Sequence, residues 1–491
     1  MSTTAIPQFW MSTRCISAPS YQRNMSDAFL YQQLRKQAAQ KAARFHMPGH
    51  KGRPVLPELN HPFAIDYTEI EGTGNLYAGD EPILSAERAA ARYYGAEDCL
   101  FLTGGSTQAL MAAIAAAVPA GGTLLVDRNC HKSVTHAMAL LDLTPEFVVP
   151  HPLDETGLPG RIDPQEVADA FARAPQAAAL LVTSPNYYGV MQDIPALADI
   201  CHAHGVPLLV DAAHGAHLPA AGVPSAIEQG ADLAAASTHK TLPALGQSAI
   251  LLSSGRIPFD TLLETAPMFG TSSPSYVLLT SIDLARAWLE GEGAAAYMQC
   301  AQRVAALRRE IDRTTVFSAL TDEAAPLDPC RLTVRCRGTN VTGRELNEIL
   351  HADFGIDVEM SDRDHIVCIC TGADTERDYA RLMGALRDSR FRRVPQERAP
   401  LLPFPAPQRA CSVRRAWFSK RHEVPLAQAA GCICARPLTP YPPGVPLLYP
   451  GERIGQVHIE FLRAGWYTDT AAICVMDETG TPEGKAQYAD I

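Results

Sequence analysis

From about residue 85, short apolar segments alternate along the chain with alanine-rich segments of helical periodicity. This alternation restricts the fold most, because strands that are joined through helices form a parallel sheet covered on both faces. The sequence therefore predicts an α/β fold. The predicted strands cover residues 99–102, 123–126, 178–182, 207–210, 231–236 and 248–252, and the predicted helices cover residues 86–93, 108–116, 164–172 and 194–204.

The rest of the chain indicates further domains. Helical periodicity over residues 276–312 closes the large domain, and strand and helix signals between residues 332 and 386 predict a smaller α/β domain. Prolines concentrated at residues 400–407 and 440–450 predict a linker and irregular structure. We predict a tail and helical segment at residues 1–56, a large domain at 57–311, a small α/β domain at 312–395 and a proline-rich C-terminal subdomain at 396–491.

Composition and charge argue against two classes of partner. The 491 residues include 53 acidic and 42 basic side chains, a net charge of −11, and they contain no basic stripe for nucleic acid. Glycines interrupt the longest uncharged stretch, residues 99–126, so that its apolar part is shorter than the ~20 residues that cross a membrane. Thirteen scattered cysteines, and no apolar leader in residues 1–30, predict a reduced cytoplasmic protein.

Two polar residues stand at the ends of predicted strands. Lys240 follows strand 231–236 and precedes another apolar segment. If buried, its ammonium loses hydration and becomes a usable amine nucleophile, whereas an exposed loop lysine has no such role. Asp211 ends strand 207–210, where a carboxylate faces the ligand crevice of an α/β sheet. An aspartate at this position can also simply cap a helix or a turn.

Two further elements follow other strands of the same sheet. Gly104-Gly105-Ser106-Thr107 precedes helix 108–116, and glycines, hydroxyls and a helix N-terminus together can form a phosphate-binding turn, although an ordinary helix cap looks similar. His131 follows strand 123–126 and would lie over the same crevice, unless it is a surface histidine or a cap.

Pyridoxal phosphate requires all four elements at once. It needs a lysine for a Schiff base, a carboxylate that keeps the pyridine nitrogen protonated, an anion-binding turn and a flat group against the ring. No metal is predicted, because the pairs His202 and His204, His214 and His217, and Cys432 and Cys434 lack the spacing of a known ligand set. The four elements together therefore predict this cofactor.

A set of short stretches between residues 46 and 452 carries a more specific signal. They read HMPGHKG at 46–52, DYTE at 66–69, FLTGGST at 101–107, NCHKS at 129–133, DAAHG at 211–215, STHKTL at 237–242, TSSPSY at 271–276, GIDVE at 355–359, YPPGVP at 441–446 and PGE at 450–452. Because of these stretches, residues 28–480 resemble the Orn/Lys/Arg decarboxylase family, in the short form without an N-terminal wing domain. The resemblance implies the aspartate-aminotransferase-like fold of pyridoxal-phosphate enzymes (fold type I).

The resemblance also implies roles for single residues. Lys240 is similar to the Schiff-base lysine, Asp211 to the partner of the ring nitrogen, and His131 to the histidine stacked on the ring. The implied cofactor-binding residues are Gly105, Ser106, Thr107, His131, Asp211, His214, Ser237, His239 and Lys240. The chain departs from the family pattern at residues 72–76 and 431–433, and these departures bear on substrate choice or assembly.

The implied activity is decarboxylation of arginine, lysine or ornithine, with a preference for arginine from family frequency alone. Three acids are candidates for binding the distal cation of the substrate: Glu359, Asp66 and Glu69. Residues 271–276 resemble a segment that reaches the neighbouring active site, which implies a homodimer with shared sites. Other reactions of this cofactor, such as transamination, and a non-catalytic regulatory role remain alternatives.

Overall fold

The computed structural model describes residues 39, 42–153, 158–323, 325–395, 406–439, 446–463 and 472–477. Within them, the predicted alternation of strands and helices is confirmed. Residues 1–38, which include most of the predicted tail and helical segment, and residues 400–405 of the predicted linker lie outside the described residues. The bounds of the four predicted domains stay predictions.

The strands and helices have the following bounds. The strands are β1 (Ala43–Phe45), β2 (Asp98–Leu102), β3 (Thr123–Asp127), β4 (Thr144–Val148), β5 (Ala177–Thr183), β6 (Leu208–Asp211), β7 (Leu233–Ser237), β8 (Ala249–Ser253), β9 (Ser318–Ala319), β10 (Arg331–Arg335), β11 (Ile356–Val358), β12 (Met360–Ser361), β13 (His365–Ile369), β14 (Gln408–Arg409), β15 (Arg421–Pro425), β16 (Glu452–Arg453) and β17 (Ala472–Met476). The α-helices are α1 (Ile83–Tyr94), α2 (Gly105–Ala117), α3 (Lys132–Leu140), α4 (Pro164–Arg173), α5 (Ile194–Ala203), α6 (Thr238–Thr241), α7 (Phe259–Thr265), α8 (Tyr276–Trp288), α9 (Ala294–Thr314), α10 (Gly343–Phe354), α11 (Glu376–Leu386), α12 (Val413–Phe418) and α13 (Gln456–Phe461).

The central sheet contains seven of these strands in the order β2-β8-β7-β6-β5-β3-β4. Its strands run parallel except β8, which is antiparallel to both β2 and β7. Residues 238–248 connect β7 to β8, and this is shorter than the dozen or more residues that a parallel crossover needs. The prediction of a mostly parallel sheet is therefore confirmed, with β8 as its one antiparallel strand among the seven.

Strand β4 was not predicted from the sequence. Pro145 and Glu146 interrupt its apolar pattern, and a proline usually argues against a strand. The structure places β4 at the edge of the sheet, where it pairs with β3 alone among the described strands. An edge strand tolerates proline because one side of it makes no ladder hydrogen bonds.

A smaller antiparallel sheet follows the large one, in the order β12-β13-β10-β9. Helices α9 and α10 pack against it, and β11 pairs in parallel with β1 from the beginning of the described chain. The helical periodicity predicted over residues 276–312 corresponds to helices α8 and α9, which are separated by a π-helical turn at Leu289–Gly293, where Gly291 leaves helical geometry. Among the described helices, none has the length and hydropathy needed to cross a membrane.

Glu87 is a carboxyl group buried between α1 and the edge strand β2. Its side chain is 1% exposed, and one oxygen accepts a hydrogen bond of 2.8 Å from the Phe101 N–H. The other oxygen has no partner among the described residues. Burial raises the pKa of Glu87 from 4.5 to about 8, so the folded protein holds this group as a neutral acid.

The raised pKa makes stability fall with increasing pH. The contribution of neutral Glu87 is complete below pH 4.5, the unfolded value, and is lost as the pH rises towards 8. We expect Glu87→Gln to raise the melting temperature at pH 8 by several degrees and to flatten its pH dependence, measured by scanning calorimetry. The exposed Glu97→Gln serves as the control and should change neither; equal pH profiles for Glu87→Gln and the parent would contradict the assignment.

Candidate active site

A cavity of about 530 Å³ lies at the carboxyl ends of the central strands. Thr183, Asp211 and Ser237 end strands β5, β6 and β7 and all line it. Parallel strands bring such positions together at one edge of a sheet. Every residue that the sequence assigned to cofactor binding lines this cavity: Gly105, Ser106, Thr107, His131, Asp211, His214, Ser237, His239 and Lys240.

Lys240 belongs to the one-turn helix α6 directly after β7. Its Nζ lies 3.2 Å from Nε2 of His214. Burial lowers the pKa of the lysine, and the nearby guanidinium of Arg331 acts in the same direction, while Asp211 and Glu359 oppose the change. A lowered pKa increases the fraction of free amine, which is the nucleophilic form.

Asp211 is 2% exposed at the end of β6. Its Oδ1 accepts a hydrogen bond of 3.1 Å from the Ala213 N–H. Burial raises the pKa of this carboxyl, whereas the positive charge of Lys240 and that hydrogen bond lower it. The carboxylate can thus partner a cationic group in the cavity, and the ring nitrogen of a protonated pyridine is such a group.

His131 caps the N-terminus of α3, where its Nδ1 accepts a hydrogen bond of 3.2 Å from the Ser133 N–H. Burial, followed by the charges of Lys240 and Lys132, lowers the pKa of His131 to about 4. The imidazole is therefore neutral near pH 7. A neutral flat ring in the cavity wall suits contact with an aromatic ligand.

The turn before α2 supplies a cradle for an anion. Gly105 has φ of +71°, a conformation that L-residues with a side chain rarely adopt, and it allows α2 to begin at this residue and not at 108 as predicted. The first turn of α2 therefore carries Ser106 and Thr107. Ser237 Oγ donates a hydrogen bond of 2.8 Å to Ser106 Oγ and joins this turn to the end of β7. Hydroxyls and a helix N-terminus in one wall match a phosphate group.

Thr183 gives a further indication that a polar ligand fits. Its Oγ1 is buried in the cavity wall and has no hydrogen-bond partner among the described residues. Buried hydroxyls are normally satisfied, so a bound group that completes this one is chemically expected. The amine, the acid, the neutral ring, the anion cradle and this hydroxyl together fit pyridoxal phosphate.

Sequence reasoning missed several residues of the wall, including Thr183, Tyr187, Asn129, Met47 and Thr439. Thr183 carried the same signal as Asp211, since it also ends a strand of the central sheet. Met47 belongs to the stretch 46–52 that carries the family resemblance, but the resemblance gave it no role, and Tyr187 lies in the loop that follows the end of β5.

The segment of residues 46–52 reaches the cavity through a close backbone approach at Gly49. Its N–H donates to the carbonyl of His239 at 3.0 Å, and a Cβ at this position would lie 2.4 Å from the carbonyl oxygen of Leu242. Any residue other than glycine would therefore push the segment away from α6. Lys51 fixes its other side by donating to the carbonyl of Ile369 at 2.8 Å in the smaller sheet.

A buried ion pair ties the C-terminal part of the chain to the loop that carries His131. Arg128 donates to both carboxylate oxygens of Glu452, at 2.8 and 3.0 Å. Its guanidinium lies 4.7 Å from the ring centre of Phe147 and 5.1 Å from that of Tyr449, and the Tyr449 hydroxyl donates to the Arg128 carbonyl at 2.8 Å. This clamp fixes the backbone three residues before His131.

Only one of the three candidate acids for the distal cation lies beside the cavity in this chain. Glu359 accepts hydrogen bonds from the Tyr187 hydroxyl at 2.6 Å and from the Met47 N–H at 2.9 Å, and both donors belong to residues of the wall. Asp66 and Glu69 lie on a surface segment beside other exposed residues.

In each histidine pair that was considered as a metal site, one histidine contacts a buried aspartate. His202 Nε2 lies 2.9 Å from Asp232 Oδ2, and His217 Nε2 lies 2.9 Å from Asp328 Oδ1. Within the described residues, a buried cluster of His217, Asp328 and Cys330 is the one group of three with ligand atoms close enough for a metal ion. The Asp328 carboxylate already pairs with His217 and Arg331, and these ion pairs explain why the three residues lie together.

The structure has the aspartate-aminotransferase-like fold (fold type I), and the residues of its cavity fit pyridoxal phosphate. Solved structures agree. The E. coli constitutive lysine decarboxylase superposes with a TM-score of 0.71 at 22% identity, over 88% of this chain and 79% of that one. An alanine–glyoxylate aminotransferase from Nostoc superposes with a TM-score of 0.56 at 17% identity, over 70% and 94% of the two chains. The predicted fold class is thereby confirmed.

Sequence comparisons narrow the class to a family. Residues 28–319 match the model of the Orn/Lys/Arg decarboxylase major domain, and residues 399–470 match that of the C-terminal domain. The arginine decarboxylase of Bacillus subtilis is 33% identical over 461 residues, which cover 88% of this chain and 92% of the relative. The E. coli constitutive lysine decarboxylase is 25% identical over 80% of this chain and 68% of its own length. The chain belongs to the Orn/Lys/Arg decarboxylase family, as its motifs predicted, and is a decarboxylase; the family implies pyridoxal phosphate as cofactor.

Proposed function

We propose that the protein converts a basic L-amino acid, preferentially arginine, to the corresponding amine and CO2, with pyridoxal phosphate attached to Lys240. The observation that carries the proposal is the presence of Lys240, Asp211 and His131 in the wall of one cavity. The preference for arginine is supported by the 33% identity to a relative named arginine decarboxylase, against 25% for one named lysine decarboxylase.

Each residue of the cavity has a distinct task in this proposal. Lys240 provides the amine that holds the cofactor, and Asp211 holds a proton at the ring nitrogen. The neutral His131 ring packs against the face of the cofactor ring, and the first turn of α2 with Ser106, Thr107 and Ser237 receives the phosphate. When bound, the cofactor supplies an electron sink for the pair that remains on the substrate α-carbon as CO2 leaves.

Glu359 is the proposed partner of the distal cation of the substrate. Its two hydrogen bonds, from Tyr187 and Met47, fix the carboxylate beside the cavity, and each carboxylate oxygen retains a further lone pair. A fixed planar carboxylate suits a guanidinium, which binds in a bidentate manner. Asp66 and Glu69 could take part only from a second subunit, because their segment is on the surface of this chain.

A homodimer with shared active sites is part of the proposal. Phe63 is 93% exposed, Tyr67 55% and Ile70 53%, which leaves an apolar surface at residues 63–70, and Met268 is also 69% exposed. Residues 271–276 adjoin this surface, since the Tyr276 hydroxyl donates to the Gly74 carbonyl.

A location in the cytoplasm is also proposed, supported by the free state of the twelve cysteines in the described chain.

The direct test is a product assay with the purified, cofactor-loaded protein. Arginine, lysine and ornithine are supplied separately, and CO2 and the amine are quantified. We expect agmatine from arginine at the highest kcat/KM. A higher kcat/KM for lysine or ornithine would overturn the preference, formation of a keto acid without CO2 would indicate transamination, and no turnover of any of the three would overturn the substrate class.

A further inference from the structure

We propose that Arg331 is a positioning residue that holds the His214 ring in the tautomer protonated at Nε2, so that this ring donates a hydrogen bond to Lys240 and favours its neutral amine. The inference rests on the proposed role of Lys240. It assigns the state of that lysine before any cofactor binds.

The argument begins with which atoms can donate. Nη2 of Arg331 lies 3.2 Å from Nδ1 of His214. A guanidinium has donors and no acceptor, so Nδ1 must supply the lone pair of this contact. Burial, reinforced by the charges of Lys240 and Arg331, lowers the pKa of His214 well below its usual value, which leaves one proton on the ring. That proton is on Nε2.

The proton on Nε2 then determines the state of the lysine. Nε2 of His214 lies 3.2 Å from Nζ of Lys240. An ammonium at this distance would place donor against donor, whereas a neutral amine has a lone pair to accept the hydrogen bond. The contact is therefore favourable only for the free amine, which is the form that reacts with a carbonyl compound.

Arg331 is buried, and Asp328 and Arg308 hold it beside His214. It is 1% exposed, and Nη2 lies 3.6 Å from Oδ2 of Asp328, whose Oδ1 contacts His217 Nε2 at 2.9 Å. Arg308 donates to the backbone carbonyls of Asp328 and Arg331, at 2.9 and 2.7 Å. His214 and His217, which are three residues apart, thus form the two ends of a buried chain through Arg331 and Asp328.

A glycine makes room for the side chain of Arg331. Gly189 has φ of +97°, and a Cβ built on it would lie 2.7 Å from Cγ of Arg331. A larger residue at 189 would displace the arginine from His214. The contact of Arg331, on strand β10 of the smaller sheet, with His214 in the cavity wall therefore requires glycine at position 189.

The other charged and titratable groups around Lys240 do not take over the effect of Arg331 on the protonation of the lysine. Asp211 and Glu359 favour the ammonium, while burial and the charge of Arg331 favour the amine. His131 and His239 have lowered pKa values and are neutral near pH 7. Among the described residues that shift the pKa of Lys240, Arg331 is the one that lowers it by charge.

The unaltered full-length protein provides the first test. Protein labelled with 15N-histidine is examined by NMR without added cofactor, and the His214 signals are assigned by their loss in His214→Gln. We expect a protonated Nε2 and an unprotonated Nδ1 near pH 7. A ring protonated at Nδ1, or at both nitrogens, would overturn the proposal.

The second test measures the lysine itself, again without cofactor or substrate. Lys240 is labelled competitively with acetic anhydride across a pH series, and mass spectrometry compares its reactivity with that of Lys132. We expect Arg331→Met to raise the apparent pKa of Lys240 by about one pH unit or more and to disturb the single His214 tautomer. The surface variant Arg256→Met should change neither value.

These outcomes distinguish a role of Arg331 in setting the His214 tautomer from a role in binding substrate. They also distinguish a failure of this proposal from a failure of the proposed function. If Arg331 instead holds the substrate carboxylate, Arg331→Met raises KM and leaves the tautomer and the labelling profile unchanged, which overturns the proposal. Both tests are independent of turnover, so they fail or succeed separately from the decarboxylation assay. If Arg331→Met does not fold, the tautomer of the unaltered protein still decides.

Discussion

Lys240→Ala should abolish decarboxylation, with a fall in kcat of about 10⁴-fold or more. The variant loses the amine in the cavity wall, while the anion cradle of α2 and the Asp211 carboxylate stay in place. We expect the variant to bind pyridoxal phosphate without covalent attachment, so that borohydride treatment leaves no modified peptide containing residue 240. The measurements are CO2 release and peptide mapping after reduction.

Lys132 provides the matched control for this experiment. It also lines the cavity, but it is exposed at the start of α3. Lys132→Ala should retain covalent attachment at Lys240 and activity within a few-fold of the parent. Recovery of the reduced cofactor on Lys132, or undiminished activity of Lys240→Ala, would show that the assignment of the amine is incorrect.

Asp211→Asn should reduce kcat by at least about 100-fold while the cofactor still attaches to Lys240. Asparagine preserves the shape and can still accept from the Ala213 N–H, but it carries no charge with which to retain a proton on a ring nitrogen. The expected signature is therefore a loss in kcat and a change in the visible spectrum of the bound cofactor, with attachment intact. The measurements are steady-state kinetics and absorption spectra.

Asp127→Asn is the control for the aspartate experiment. Asp127 also ends a central strand and is 1% exposed, but it does not line the cavity. Its Oδ1 accepts from the Asn129 N–H at 2.7 Å, and burial raises its pKa to about 7, so an amide resembles its neutral form. We expect activity within a few-fold of the parent. Similar losses in both variants would indicate damage to the sheet and not a specific role for Asp211.

The sequence was informative wherever function follows the local order of the chain. Lys240, Asp211 and the turn at Gly105 each follow a strand, and parallel strands converge at one edge, so their meeting could be anticipated. Thr183 also ends a strand of the central sheet, but it was not predicted to line the cavity. Arg331 and Gly189 could not be found in this way, because nothing in strand β10 or in the loop at 189 reveals a contact with His214, 117 residues away from Arg331.

The walls of the cavity come from both ends of the described chain, which has a consequence for synthesis. Met47 stands near its beginning, Thr439 near its end, and Glu452 clamps the loop that presents His131. On a ribosome, the segments that carry Asp211 and Lys240 emerge long before residue 452. The nascent protein therefore contains Lys240 well before the cavity around it is closed, and the cavity is complete only after residue 452 has emerged.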